Sequence, residues 1–141
     1  MPNPLAQVLA VEDSPHFASL LQSVLQLIGA ELTIASSGEQ AMELVRQRRF
    51  DLIILNVRLP GINGLEVCRR LKQDPELKTI PVIFSSGEPD SHIRDEAVCL
   101  GAVDYLVKPY RMQDFMARVL PCLPHAHRAG VGRDSQPPDK V

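Results

Sequence analysis

Four apolar runs in this chain end in polar groups of kinds that can do chemistry together. Gln7-Val-Leu-Ala-Val11 leads into Glu12-Asp13, and Asp51-Leu-Ile-Ile-Leu55 leads into Asn56. Pro81-Val-Ile-Phe84 leads into Ser85-Ser86, and Val103-Asp-Tyr-Leu-Val107 leads into Lys108-Pro109. Two adjacent carboxylates suit a hard, oxygen-seeking cation such as Mg²⁺, which keeps several of its waters. A hydroxyl can bond an oxyanion, and a lysine supplies a compact positive charge. An amide offers one acceptor oxygen and two donors, but it is a far poorer oxygen nucleophile than a carboxylate. Polar residues are common where strands give way to loops, so any one of these groups alone is a weak signal. Acidic, amide, hydroxyl and cationic groups at four matching ends make a specific one.

The signal depends on the four runs being strands that end on one side. The apolar runs are mostly continuous, as in strands covered on both faces. Strands are predicted at Gln7–Val11, Glu31–Ala35, Asp51–Leu55, Pro81–Ser85 and Val103–Val107. Between them lie helical patterns. Ser14 is a good N-cap with Pro15 at the first helical position, and Phe17, Leu20, Leu21, Val24, Leu25 and Ile28 repeat at helical spacing until Gly29. Ser37 opens a helix through Val45, with Ala41, Leu44 and Val45 inward. Further helices are predicted over Leu65–Leu71, Ser91–Leu100 and Met112–Leu120, with a break at Asp74-Pro75. Strands alternating with helices imply right-handed βαβ units and a parallel sheet. In such a sheet ligands gather beyond the carboxyl ends of the strands, where all four polar groups fall.

At 141 residues the chain is one domain by length, large enough to bury a core. Hydrophobic residues at 45% and charged residues at 23% are an ordinary soluble balance. A net charge of -2 gives no electrostatic footprint for nucleic acid or an anionic membrane. No helix-turn-helix pattern follows, so no nucleic-acid partner is expected within this chain. No apolar run is long enough for a membrane span, and no signal-peptide pattern is present. Cys68, Cys99 and Cys122 form no CxxC pair and no metal spacing, which suits a reducing, cytoplasmic setting. Cys68 and Cys99 read as small buried hydrophobes. From Pro121 the periodic pattern stops, and His125 and His127 read as solvated residues rather than metal ligands.

Taken together, Val11-Glu-Asp-Ser-Pro15, the stretch Phe50–Gly64 around Asn56, Ser86, Tyr105 and Lys108-Pro109 resemble the receiver domain of bacterial response regulators. The resemblance covers about Val8 to Leu120. It implies an α/β, flavodoxin-like doubly wound fold, a five-stranded parallel sheet of order 2-1-3-4-5 with helices on both faces. Residues 5–122 would form the receiver domain and 123–141 a flexible C-terminal tail or linker. The resemblance also assigns roles. Glu12, Asp13, Asn56 and the backbone carbonyl of Arg58 match the Mg²⁺ site. Ser86, Tyr105 and Lys108 match the phosphoryl-binding and switch residues. Pro60 and Gly61 match the turn after the phosphorylation strand, and a cis peptide precedes Pro109. Gly61, Gly64 and Gly101 read as turn or close-approach positions, and Gly87 stands where the family commonly has Ala.

One position departs from the pattern. Asn56 stands where the family carries the aspartate that accepts the phosphoryl group. The amide keeps the shape and one acceptor oxygen but loses the charge and the nucleophile. The implied Mg²⁺ site is therefore weakened, Lys108 is expected to turn to Asp13, and no adduct is expected at position 56. A natural loss and an engineered Asp-to-Asn change fit the sequence equally. The resemblance implies a signalling switch rather than an enzyme. Its partners would be a histidine kinase or phosphotransfer protein and an output domain or partner protein, with a homodimer allowed. The alternative is a phosphorylation-independent pseudo-receiver that serves as a protein-interaction scaffold. A flavodoxin-like small-molecule binder is disfavoured, because Glu12-Asp13 would repel a phosphate after the first strand.

Overall fold

A computed structural model describes residues 5–124. Five strands alternate with five helices: β1 (Ala6–Val11), α1 (Pro15–Leu27), β2 (Ala30–Ala35), α2 (Gly38–Gln47), β3 (Leu52–Leu55), α3 (Gly64–Gln73), β4 (Val82–Ser86), α4 (Ser91–Cys99), β5 (Asp104–Val107) and α5 (Met112–Val119), closed by a 3₁₀ turn over Leu120–Cys122. All strands pair in parallel, in the order β2-β1-β3-β4-β5. This is the doubly wound order that the resemblance to receiver domains implies.

Side-chain alternation along the strands divides the core into two layers. Leu9, Val11, Ile53, Leu55, Val82, Phe84 and Tyr105 face α2, α3 and α4, meeting Ala41, Val45, Val67, Cys68, Leu71 and Ala97. Val8, Ala10, Leu52, Ile54, Ile83 and Leu106 face α1 and α5, meeting Leu21, Leu25, Phe115 and Val119. Burying strands on both faces is why their sequences are continuous apolar runs.

The helix ends follow local chemistry. The Ser14 hydroxyl caps α1 by accepting from the Phe17 N–H, and Gly29, with φ at 76°, turns the chain into β2. Ser37 and Asn63 cap α2 and α3 in the same way. Some boundaries move. β4 runs through Ser86, and β5 starts at Asp104, leaving Val103 58% exposed. Asp51 lies outside β3 and accepts the Gln7 N–H through its carboxylate.

Two expected burials fail. Leu20 is 40% exposed on α1, and Cys99 is exposed where a buried thiol was expected. Ala97 is the sole buried residue of α4, so this helix has a narrow inner face that does not reach Cys99. Cys68 is buried as expected. Leu123 is buried under the α1–α5 layer, so packing continues past residue 122. The expected tail beyond it, with His125 and His127, lies outside the described residues. Among the described residues no helix is long and apolar enough to cross a membrane.

Candidate functional site at the carboxyl edge of the sheet

Strand register brings the polar groups together. Val11 pairs with Ala35 and Leu55, Leu55 with Phe84, and Ser86 with Val107. The ladder then continues one step further. The Glu12 N–H donates to the Ala35 carbonyl, Asn56 to Val11 and Lys108 to Ser86. Glu12, Asn56, Ser86 and Lys108 therefore leave the sheet along a single edge.

On the α1–α5 side this edge is a buried charge network. Glu12 is only 4% exposed. Its Oε1 accepts from Lys108 Nζ at 2.8 Å. Its Oε2 accepts from the Ser14 N–H at 3.1 Å and, more loosely, from Asn56 Nδ2 at 3.5 Å. The Lys108 ammonium also sits 4.1 Å from the Phe17 ring centroid, a cation–π contact. Lys108 thus pairs with Glu12 and not, as expected, with Asp13. The reason is desolvation: an unpaired carboxylate costs most where water is excluded, and Asp13 is exposed. Next to the network, Ser85 Oγ and the Tyr110 hydroxyl lie 2.6 Å apart. The Tyr110 ring packs edge-on to Phe17 and stacked on Phe115. Burial pushes the Tyr110 phenol up to about 12; Glu12 adds to the rise, and the Ser85 hydrogen bond opposes it.

On the α4 side the groups meet around Glu88. Ser86 is fully buried, and its hydroxyl accepts the Glu88 N–H at 3.2 Å. The Tyr105 hydroxyl donates to the Glu88 carbonyl at 2.6 Å. The Glu88 carboxylate pairs with the exposed Arg58 guanidinium across the mouth of the site. Tyr105 is 3% exposed, more buried than a strand-edge aromatic need be, and burial raises its phenol pKa. Ser85 and Ser86 point to opposite sides of the sheet, as adjacent strand residues must. That alternation puts Ser86, rather than Ser85, beside Glu88 and Tyr105.

The backbone loops are held close. A Cβ on Gly64 would lie 2.1 Å from the Asn56 carbonyl oxygen, and the Gly64 N–H donates to Val57, so only glycine lets the β3–α3 loop fold back here. Gly61 has φ at 75° in the turn after Pro60, and the Lys108–Pro109 peptide is cis, both as expected. A Cβ on Gly87 would meet nothing.

Among the described residues no three His, Cys, Asp or Glu side chains stand close enough to hold a metal. The exposed Asp13 carboxylate, the Asn56 side-chain oxygen and the Arg58 carbonyl are hard oxygen donors of the kind that Mg²⁺ takes. Sequence reasoning missed Glu88, Phe17 and the Ser85–Tyr110 pair. A groove of about 540 Å³, lined by Arg46, Arg48, Arg49, Phe50 and Glu76 among others, opens between the end of α2 and the approach to β4, away from these groups.

The response regulator receiver domain model matches residues 8–120. The chain belongs to this family. The receiver domain is 36% identical over 115 residues to the phosphate regulon transcriptional regulatory protein PhoB of Rhizobium meliloti, covering 82% of this chain and 51% of that protein. It is 34% identical over 113 residues to the DNA-binding response regulator MtrA of Mycolicibacterium smegmatis, covering 80% and 48%. The chain thus spans about half the length of the curated relatives it matches. Among solved structures, a response regulator from Chloroflexus aurantiacus superposes with a TM-score of 0.80 at 34% identity, covering 85% of this chain and 98% of that one. The Mn²⁺-bound form of response regulator Rcp1 gives 0.72 at 32% identity, covering 81% and 88%. The chemotaxis response regulator CheY4 of Vibrio cholerae gives 0.78 at 28%, covering 84% and 99%.

Proposed function

We propose that this domain is the receiver switch of a two-component or phosphorelay response regulator, held in a non-phosphorylatable state by Asn56. The observation that carries the reading is the position of Asn56. It directly follows β3, beside Glu12 and on the same edge as Ser86 and Lys108, which supports reading it as the acceptor position. Phosphoryl transfer needs little from a protein beyond positioning, charge stabilisation and a competent nucleophile. The first two are supported by Lys108, Ser86 and the acidic pair. The third is missing, because the Asn56 amide is neutral and lacks the full negative charge that makes a carboxylate oxygen a competent nucleophile.

Mg²⁺, when bound, supplies charge neutralisation for phosphoryl oxygens. Asp13, Asn56 and the Arg58 carbonyl would hold it, with Glu12 supporting from the interior; affinity is reduced by the charge lost at position 56. Ser86 and Lys108 are the groups that would receive phosphoryl oxygens. Tyr105 and Glu88 would carry the change outward. The partners proposed are a histidine kinase or phosphotransfer protein and an output domain or partner protein in the cytoplasm, and the relatives' greater length supports the output assignment. A homodimer is compatible with this reading.

One observation favours the second reading, a phosphorylation-independent pseudo-receiver acting as an interaction scaffold. The β4–α4 loop is already fastened by Ser86, Tyr105 and Arg58, each through Glu88. Both readings predict chemical inertness. Incubation with acetyl phosphate and Mg²⁺ should leave the intact mass unchanged. A stoichiometric phosphoryl adduct would refute the proposal, and mapping it would reveal a second acceptor such as Ser86.

A further inference from the structure

Glu12 is withdrawn from water and is already engaged at both oxygens. Lys108 holds Oε1 at 2.8 Å, while the Ser14 N–H and the Asn56 amide hold Oε2. Of the roughly four acceptor positions of a carboxylate, three are filled from within the protein. Lys108 is equally committed. Its side chain is 20% exposed, and its ammonium is fixed between Glu12 and the face of Phe17. Swinging it away forfeits a buried ion pair and a cation–π contact together.

With an aspartate at position 56, three carboxylates and one ammonium would be neutralised by one dication. With Asn56, Glu12 and Lys108 neutralise each other, and the single remaining carboxylate, Asp13, is solvated. A dication then leaves the edge with an excess positive charge, close to a fixed ammonium.

We propose that Lys108 is the resident counter-cation of Glu12 and competes with divalent ions for this edge. The weak metal site is then set by the lysine as much as by the missing carboxylate. The inference rests on the edge being a divalent site in kind, but not on any phosphoryl chemistry, so its test can fail while the inertness at Asn56 stands, and the reverse.

The test is calorimetric titration with Mn²⁺, a hard-oxygen probe, of the parent, Lys108→Met and Lys108→Arg proteins. Removing the charge that neutralises Glu12 frees that carboxylate for the ion and should tighten Mn²⁺ binding by Lys108→Met about tenfold or more. Lys108→Arg keeps the charge and should bind as weakly as the parent. Equal affinity in the parent and a folded Lys108→Met protein would overturn the proposal. If circular dichroism shows Lys108→Met to be unfolded, the parent itself decides. The Lys108 ε-methylene resonances should shift during a Mg²⁺ titration with the same midpoint as the calorimetric isotherm. Resonances that stay fixed through saturation would overturn it.

Discussion

The two flanks of the carboxyl edge are built on different principles. Toward α1 and α5, Glu12, Lys108, Phe17, Ser85 and Tyr110 form a buried, internally neutralised cluster. Toward α4, Glu88 gathers Ser86, Tyr105 and Arg58 at a loop open to water, and the Arg58 side chain is 77% exposed. Low local dielectric makes each charge on the first flank expensive to strand. Solvent and salt make the ion pair on the second flank cheap to break. The first flank therefore acts as a fixed frame and the second as the part that can move. Asn56 lies between them.

The inner flank should respond most strongly when one of its charges is removed. Glu12→Ala leaves the Lys108 ammonium against Phe17 without its partner and should cost about 2 to 3 kcal/mol in urea unfolding, below the roughly 3 to 5 kcal/mol of a fully buried broken pair because Lys108 retains some solvent. Glu12→Gln with Lys108→Met removes both charges and should recover most of that loss. A loss below about 0.5 kcal/mol for Glu12→Ala would place the pair in the class of surface ion pairs.

Tyr110 sharpens the same flank through pH. Its folded pKa, about 12, lies above the ordinary phenol value of 10. The native state therefore holds the proton more tightly than the unfolded chain does. The stability this contributes is fully present below pH about 10 and is lost as pH rises toward about 12. Stability measured across that window should fall, and Tyr110→Phe should flatten the fall. At neutral pH the same substitution leaves the buried Ser85 hydroxyl unpartnered and should cost about 1 kcal/mol.

The smallest effect belongs to the outer flank. Glu88→Gln should change global stability by less than about 0.5 kcal/mol. It should nonetheless speed hydrogen exchange in the β4–α4 loop, and high salt should do the same to the parent. Unchanged exchange in the variant would mean that the loop is held by Ser86 and Tyr105 alone.

Much of this was legible in the sequence because it depends on short-range rules. The Ser14-Pro15 helix start, the Gly29 stop, the continuous strands and the polar group after each strand follow from capping, backbone conformation and double-sided burial. The partner of Lys108 was not read correctly, although strand alternation held the clue. Glu12 continues the phase of Ala10 and Lys108 that of Leu106, so both turn to the face where Phe17 packs. Asp13 is out of phase. Glu88 carried no such signal, since its place is fixed by a loop brought to Tyr105 and Arg58 only in three dimensions. Cys99 misled because burial was inferred from residue type, whereas α4 keeps only a narrow inner face.

On the function proposed, one functional group separates this edge from a working phosphoacceptor, and the Asn56→Asp variant restores it. The folded variant should take up a single phosphoryl group from acetyl phosphate in a Mg²⁺-dependent manner, seen by intact mass, with the label mapping to position 56, while the parent stays unlabelled. A folded, Mg²⁺-loaded variant that remains unlabelled would contradict the account and leave a site whose remaining groups no longer support transfer.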